Sequence, residues 1–297
     1  MIRKILWVFL CLGWLALTPG SLAAQAPDRI TILFDAFGKM PSLDQDWGFA
    51  ALVEHDGKRI LFDTGNNADI FAHNTSTLKI DLKRLDFVVI SHRHGDHTDG
   101  LRHLLKINPT VKIYVPDDEY FGGTTPQAFF RRPEPSLPAE MRYFNGATPK
   151  EIPHGTPWGK ARFIRVDSAM EVMPGVRLVR NIAQTGAFGE TPEISLAIDT
   201  KAGQVLVVGC SHPGIEPILA SVHAKEKPVH LIVGGLHLVT TPDPEVDRLA
   251  LALRDEWKVE SIAPGHCTGE YAFASLRKSF GPKYVYAGVG SVIRLQE

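Results

Sequence analysis

Cysteine is scarce in this chain: three residues in 297, at positions 11, 210 and 267. So few thiols exclude the disulfide framework that staples small secreted domains. An excess of either charge is also missing. Lys and Arg number 32 against 33 Asp and Glu, and the signs are interspersed, so no basic stripe offers itself to a phosphate backbone and nucleic acid is excluded as the expected partner. No apolar run reaches the roughly 20 residues needed to span a bilayer. Repeats and low-complexity tracts are absent as well. With 44% hydrophobic and 22% charged residues, the composition is that of an ordinary folded chain able to bury one large core or two modest ones.

Residues 1–26 stand apart. Arg3 and Lys4 precede an apolar stretch from Ile5 to Leu17, a break at Pro19-Gly20 and small residues through Ala26. This is the layout of a secretory signal peptide, and it predicts a periplasmic or secreted protein with no stable membrane anchor after cleavage. Ser21-Leu22-Ala23 and Ala24-Gln25-Ala26 both fit a cleavage site. Cys11 is not preceded by the small residues that a lipoprotein signal needs. Cleavage would leave Cys210 in "GCSHPG" and Cys267 in "PGHCTG". Their spacing allows either one disulfide or a thiol beside a metal.

Residues 27–297 read as a single domain. "RITILFDAF", "FAALVEHDGKRILFDTG" and "LDFVVIS" are strand-like, the second folding as a hairpin around Asp56-Gly57. Helical spacing follows in "GLRHLLKIN", "GIEPILASVHAKE", "DPEVDRLALALRDEWK" and "EYAFASLRKSF", interleaved with strand-like "VKIYVP", "HLIVGG", "VESIAPG" and "YVYAGVG". Such alternation predicts an α/β fold with helices covering sheets. One stretch, 116–160, is crowded with Pro, Gly and aromatics and keeps no sustained period. It reads as a long surface excursion that serves as a lid, an inert insertion or a dimer contact.

The informative stretch is "ISHRHGDHTDGL", where three histidines and an aspartate fall within six residues directly after an apolar run. A strand ending near Ser91 would deliver His92, His94, Asp96 and His97 to a sheet rim. Imidazole nitrogens and a carboxylate are the donors a zinc-like divalent ion accepts. His92 and His94, on alternate residues of an extended segment, would point to one side, and a turn through Gly95 would bring two more donors. The bland alternative is a polar loop in which Asp96 or Thr98 caps the helix that follows.

Taken in order, "FDTG" at 62–65, "SHRHGDHTDGL", "GCSHPG", "GGLHL" and "PGHCTG" resemble the metallo-β-lactamase superfamily. More narrowly they resemble its branch of proteins similar to dihydropterin-ribofuranosylaminobenzene-phosphate synthase. The resemblance covers nearly the whole mature chain. It implies a four-layer αββα sandwich with two divalent ions at one rim, zinc before iron or manganese. By the same resemblance His92 and His94 serve one ion, Asp96 and His97 the other, and His266 supplies the last histidine. No aspartate stands at the bridging position usual in the superfamily. His212 is the expected third histidine of the first site, with His154 ranked well below it. Cys210 either approaches the second ion or is a small buried apolar residue. Asp63 is expected to orient the metal loop, and His237 to contact substrate, support the ligands or simply pack in the core. His55, His73, His103, His223 and His230 have no comparable context.

Two adjacent ions can lower the pKa of a shared water and polarise an electrophilic oxygen, so the expected reaction is metal-assisted hydrolysis of a small ester, lactone, amide or phosphoester. Asp96 is the candidate to orient that water or accept its proton. A pterin-biosynthetic role fits poorly with export, and β-lactam hydrolysis fits poorly with "GCSH". The competing expectation is a non-hydrolytic oxidoreductase or redox-sensing metal protein that uses Cys210 and Cys267.

Overall fold

The computed structural model describes residues 28–118, 124–125, 134–147, 152–153, 158, 161–185, 189–224 and 226–295. The expected signal segment and His154 lie outside them. Strands are β1 (Arg29–Phe34), β2 (Ala50–His55), β3 (Lys58–Phe62), β4 (Phe87–Val89), β5 (Ile113–Pro116), β6 (Thr124–Thr125), β7 (Ile152–Pro153), β8 (Phe163–Val166), β9 (Met170–Met173), β10 (Val176–Thr185), β11 (Gly189–Thr200), β12 (Gly203–Val208), β13 (Val229–Gly235), β14 (Ser261–Gly265) and β15 (Val292–Arg294). Helices are α1 (Ala68–Thr77), α2 (Gly95–Thr98), α3 (Leu101–Ile107), α4 (Ile215–Ser221), α5 (Asp243–Asp255) and α6 (Glu270–Phe280).

Two sheets form the middle of the molecule. The first runs β15-β1-β2-β3-β4-β5-β8, the second β14-β13-β12-β11-β10-β9, while β6 and β7 make a separate ribbon. Period-two alternation in the strands explains the stacking. Ile30, Ile32, Ala51, Val53, Ile60 and Phe62 of the first sheet meet Leu196, Ile198, Val205, Val207 and Val233 of the second in one enclosed core. The opposite faces are apolar too, and each needs a helical cover. Leu52, Leu61 and Val88 pack under Phe71, Leu101 and Leu104. Leu206, Val208 and Ile232 pack under Ile218, Leu253 and Leu276. The result is the αββα sandwich expected from the sequence, with fully enclosed aliphatic side chains contributing roughly 1.5–3 kcal/mol each.

The hairpin forms at Asp56-Gly57, both with positive φ, as its two-residue turn demands. Two expectations fail. "YVYAGVG" forms no strand; only isolated bridges of Tyr284 to Ile262 and of Val289 to Gly38 occur there, because a tight turn at Gly281–Lys283 and two glycines interrupt the run. The excursion over 116–160 is not wholly superficial. Its residues Leu137, Met141 and Tyr143 are buried with Phe37, Trp47, Cys210, Cys267 and Phe273, so its scattered apolar residues complete an existing core instead of building their own. Helix α1 went unpredicted, its apolar stripe being short, yet Asn67 caps it by accepting from the backbone N–H groups of Asp69 and Ile70.

Candidate metal centre

Chain reversals after β3, β4, β12, β13 and β14 meet at one rim. Each strand ends in an apolar run and hands over to polar residues where the sheet stops. The non-glycine residues Asp63, Ser211, His237 and His266 there have left-handed backbones, with φ of 57°, 62°, 52° and 48°. Strained turns of this kind persist only where surrounding contacts hold them.

After β4, extended backbone sends alternate side chains to opposite sides. His92 and His94 face each other, their ring centroids 4.7 Å apart. Arg93 goes the other way, where its guanidinium donates to Asp118, Glu190 O and Thr191 Oγ1 and ties the loop to β11. Helix α2 begins at His94 and in a single turn brings Asp96 and His97 beneath. No side chain caps α3, which removes the capping explanation for this motif.

Asp63 is the floor of the loop. Fully buried, it accepts from Ser91 N, from Ser91 Oγ and from His97 Nδ1, each at 2.7 Å. Burial raises its carboxyl, and the contacts with His97 and Ser91 oppose that rise. Having donated to Asp63, Ser91 Oγ can only accept from His92 Nδ1 at 2.8 Å. Both rings therefore hold a proton on Nδ1 and turn Nε2 inward, which offers a lone pair in His92 and, once a cation displaces the second proton, in His97. Among the described residues no group hydrogen-bonds the buried His92 Nε2. Burial alone would lower His97, but Asp63 and Asp96 bring it up to about 9. Burial and the neighbouring imidazoles push His92 well down.

The "GCSH" loop after β12 is organised by a residue the sequence reading overlooked. Glu193 of β11, buried, accepts from the backbone N–H groups of Cys210, Ser211 and His212 at 2.9, 2.7 and 2.9 Å, and from His212 Nδ1 at 2.9 Å. Burial opposes ionisation, yet these contacts, His212 foremost, bring the carboxyl down to about 2. His212 is thereby also left with Nε2 as its donor. Gly209 precedes this loop because a Cβ there would lie 2.6 Å from Ser91 Cβ and 3.2 Å from Asp63 Oδ2.

A second overlooked carboxylate holds the last histidine. Asp35, directly after β1, accepts from Ala36 N at 2.7 Å and from His266 N at 3.0 and 3.2 Å. Burial raises this group well above its usual range. The signal was available in the chain: "ILFD" occurs at 32–35 and again at 60–63, each time ending in a buried aspartate that supports a histidine of the centre.

Among the described residues, three groups of donors include a histidine of the 92–97 loop. His92, Cys210 and His212 form one, His97, Cys210 and His266 another, and His92, His94 and Asp96 a third, with the donor atoms of each within 4.8 Å of one another. His97 Nε2 lies 3.1 Å from His266 Nε2 and 3.2 Å from Cys210 Sγ, and Asp96 Oδ2 lies 3.4 Å from His266 Nε2. Facing lone pairs at such separations need a cation or a proton between them, so the donor set fits the implied divalent ions. Cys210 belongs to two of these groups and links them. It is buried and forms no disulfide with Cys267. His237 sits at the rim, its ring 4.3 Å from that of His212. His55 and His230 pair with Asp28 and Glu260 outside the centre.

The model of the Metallo-beta-lactamase superfamily matches residues 48–266. The chain belongs to this superfamily. A curated relative is the 7,8-dihydropterin-6-methyl-4-(beta-D-ribofuranosyl)-aminobenzene-5'-phosphate synthase of Methanocaldococcus jannaschii, 28% identical over 83% of this chain and 88% of that protein. Among solved structures, Tm1679, described as a metal-dependent hydrolase of the beta-lactamase superfamily, has a TM-score of 0.69 at 24% identity, covering 91% of this chain and 100% of that one. The short form of human tRNase Z has a TM-score of 0.52 at 14% identity over 91% and 100%. These two likenesses concern the fold. The superfamily match includes the "SHRHGDH" loop, "GCSH" and His266, but not Asp35 or Cys267.

Proposed function

We propose that the mature protein is an exported metal-dependent hydrolase of a small molecule carrying an ester, lactone, amide or phosphoester. The observation that carries this reading is the meeting of two imidazole-rich donor groups at Cys210 Sγ. His92, His94 and His212 would hold one divalent ion and Asp96, His97 and His266 the other, with Cys210 between, and zinc suits this mixture of nitrogen, sulfur and oxygen. Bound ions would supply Lewis acidity and a water whose pKa is lowered toward neutrality. The chain itself contributes fixed donors: Asp63, Glu193 and Ser91 set the tautomers, and Asp96 Oδ2 would receive or orient a proton. The half-buried His94 and His237 would meet the substrate. Export rests on the segment 1–26 alone; among the described residues no helix is long and apolar enough to cross a membrane.

The test is elemental analysis of the purified mature protein, followed by an ester, lactone, amide and phosphodiester screen before and after chelation. Zinc near two ions per chain, with turnover lost on chelation and restored by zinc, is expected. Full turnover in the metal-free protein overturns the proposal. The likeness to the M. jannaschii synthase favours a second reading, transfer to an acceptor other than water. Turnover in isotopically heavy water oxygen separates the two, because only hydrolysis puts solvent oxygen into the product.

A further inference from the structure

The centre has a corner whose Cys267 the hydrolytic reading does not use. Cys267, one residue beyond His266, is buried at 1% exposure, and with Cys210 and His237 it forms another group whose donor atoms all lie within 4.8 Å of one another. Its sulfur also approaches the carbonyl of Cys210 at 3.7 Å. Space for it exists because position 235 is glycine: a Cβ there would stand 2.8 Å from Cys267 Sγ and 3.4 Å from the Cα of Cys210. His237 reaches this corner from the half-buried rim on a strained backbone, φ 52°. Neither Cys267 nor His237 belongs to the other three donor groups.

We propose that Cys210, Cys267 and His237 form a further site for a thiophilic d10 cation, sharing Cys210 with the neighbouring groups. The donors decide the class of ion: two sulfurs and one imidazole select soft or borderline cations over oxygen-seeking ones such as magnesium or calcium. Tetrahedral ligands at about 2.3 Å from a cation lie roughly 3.8 Å apart, so a contraction of about 1 Å closes the group around an ion. Both thiols release their protons to solvent as the ion binds, and no electrons are exchanged. Because Cys210 is shared, an ion in this corner draws its sulfur away from the two imidazole groups. The site thus goes beyond the proposed hydrolysis and stands whether or not hydrolysis is observed.

The metal-depleted full chain titrated with cadmium tests this, reading the ultraviolet sulfur-to-cadmium charge-transfer band. Wild type should show the intensity of two thiolates, Cys267→Ser about half of it, and His266→Ala, which disrupts only the neighbouring group, the full band. Equal bands in wild type and Cys267→Ser, or loss of the band in His266→Ala, overturn the proposal. Cadmium NMR of the wild-type chain counts sulfur ligands without any substitution. A resonance in the two-sulfur range supports the site, and its absence, whether one-sulfur resonances or none are seen, overturns it.

Discussion

Glu193 Oε2 stands 2.9 Å from both the backbone nitrogen and the ring Nδ1 of His212. With Oε1 accepting from Cys210 N and Ser211 N, one buried carboxylate fixes a three-residue turn and a tautomer together. Replacing it by Gln turns an amide NH2 toward groups that are themselves donors. Glu193→Gln should therefore weaken metal binding by about 10–100-fold, as loss of a ligand's supporting carboxylate commonly does. Zinc titration by calorimetry on folded variant protein checks it; wild-type affinity would show that the loop holds its shape unaided.

The same carboxylate predicts an acid response. Its folded pKa of about 2 lies below the unfolded value of roughly 4.3. Such a group stabilises the fold above the unfolded pKa and loses that contribution as pH falls toward the folded one. Chelated wild-type protein should thus lose melting temperature steeply between about pH 4.5 and 2, where Glu193→Gln falls less steeply. Parallel curves for the two proteins would contradict the assignment.

The layers and one half of the centre were legible in the sequence because their signals are local. His92, His94, Asp96 and His97 share one loop, and period-two alternation in β1–β4 marks both faces of a sheet. Glu193 was not legible, since it acts on residues 17 to 19 positions away across a strand pair and looks, in sequence, like one polar residue in a strand. Its exposure of only 1% is the clue that only the fold supplies. Asp35 acts across 231 positions, and its kinship with Asp63 shows only once both are seen at strand ends on the same rim. The role of "GCSH" was half legible: histidine and cysteine types announce metal chemistry, but which donor group Cys210 joins depends on strand order.

Close packing under the loop gives a prediction about stability. Gly209 lies against Ser91, whose hydroxyl links Asp63 to His92. A methyl group at 209 would have to displace Ser91 or part β4 from β12. Gly209→Ala should cost about 1–3 kcal/mol, the usual range for overpacking. It should also weaken zinc binding, because His92 loses its fixed tautomer. Urea unfolding of the chelated chain measures the first effect, and wild-type stability would mean that the rim relaxes more freely than the packing implies.

Asp35 supports a prediction that separates charge from hydrogen bonding. Burial works against the charge of Asp35, while its oxygens accept from His266 N and Ala36 N, so the hydrogen-bond acceptor is the feature to test. Asn keeps one carbonyl acceptor in the same place, whereas Ala leaves buried N–H groups unpaired at a turn whose backbone is already strained at His266. Each unpaired N–H costs about 1–3 kcal/mol. Asp35→Ala should then destabilise the chelated chain by several times as much as Asp35→Asn, read from urea midpoints. Equal losses in the two variants would show that the ionised carboxylate is what position 266 requires.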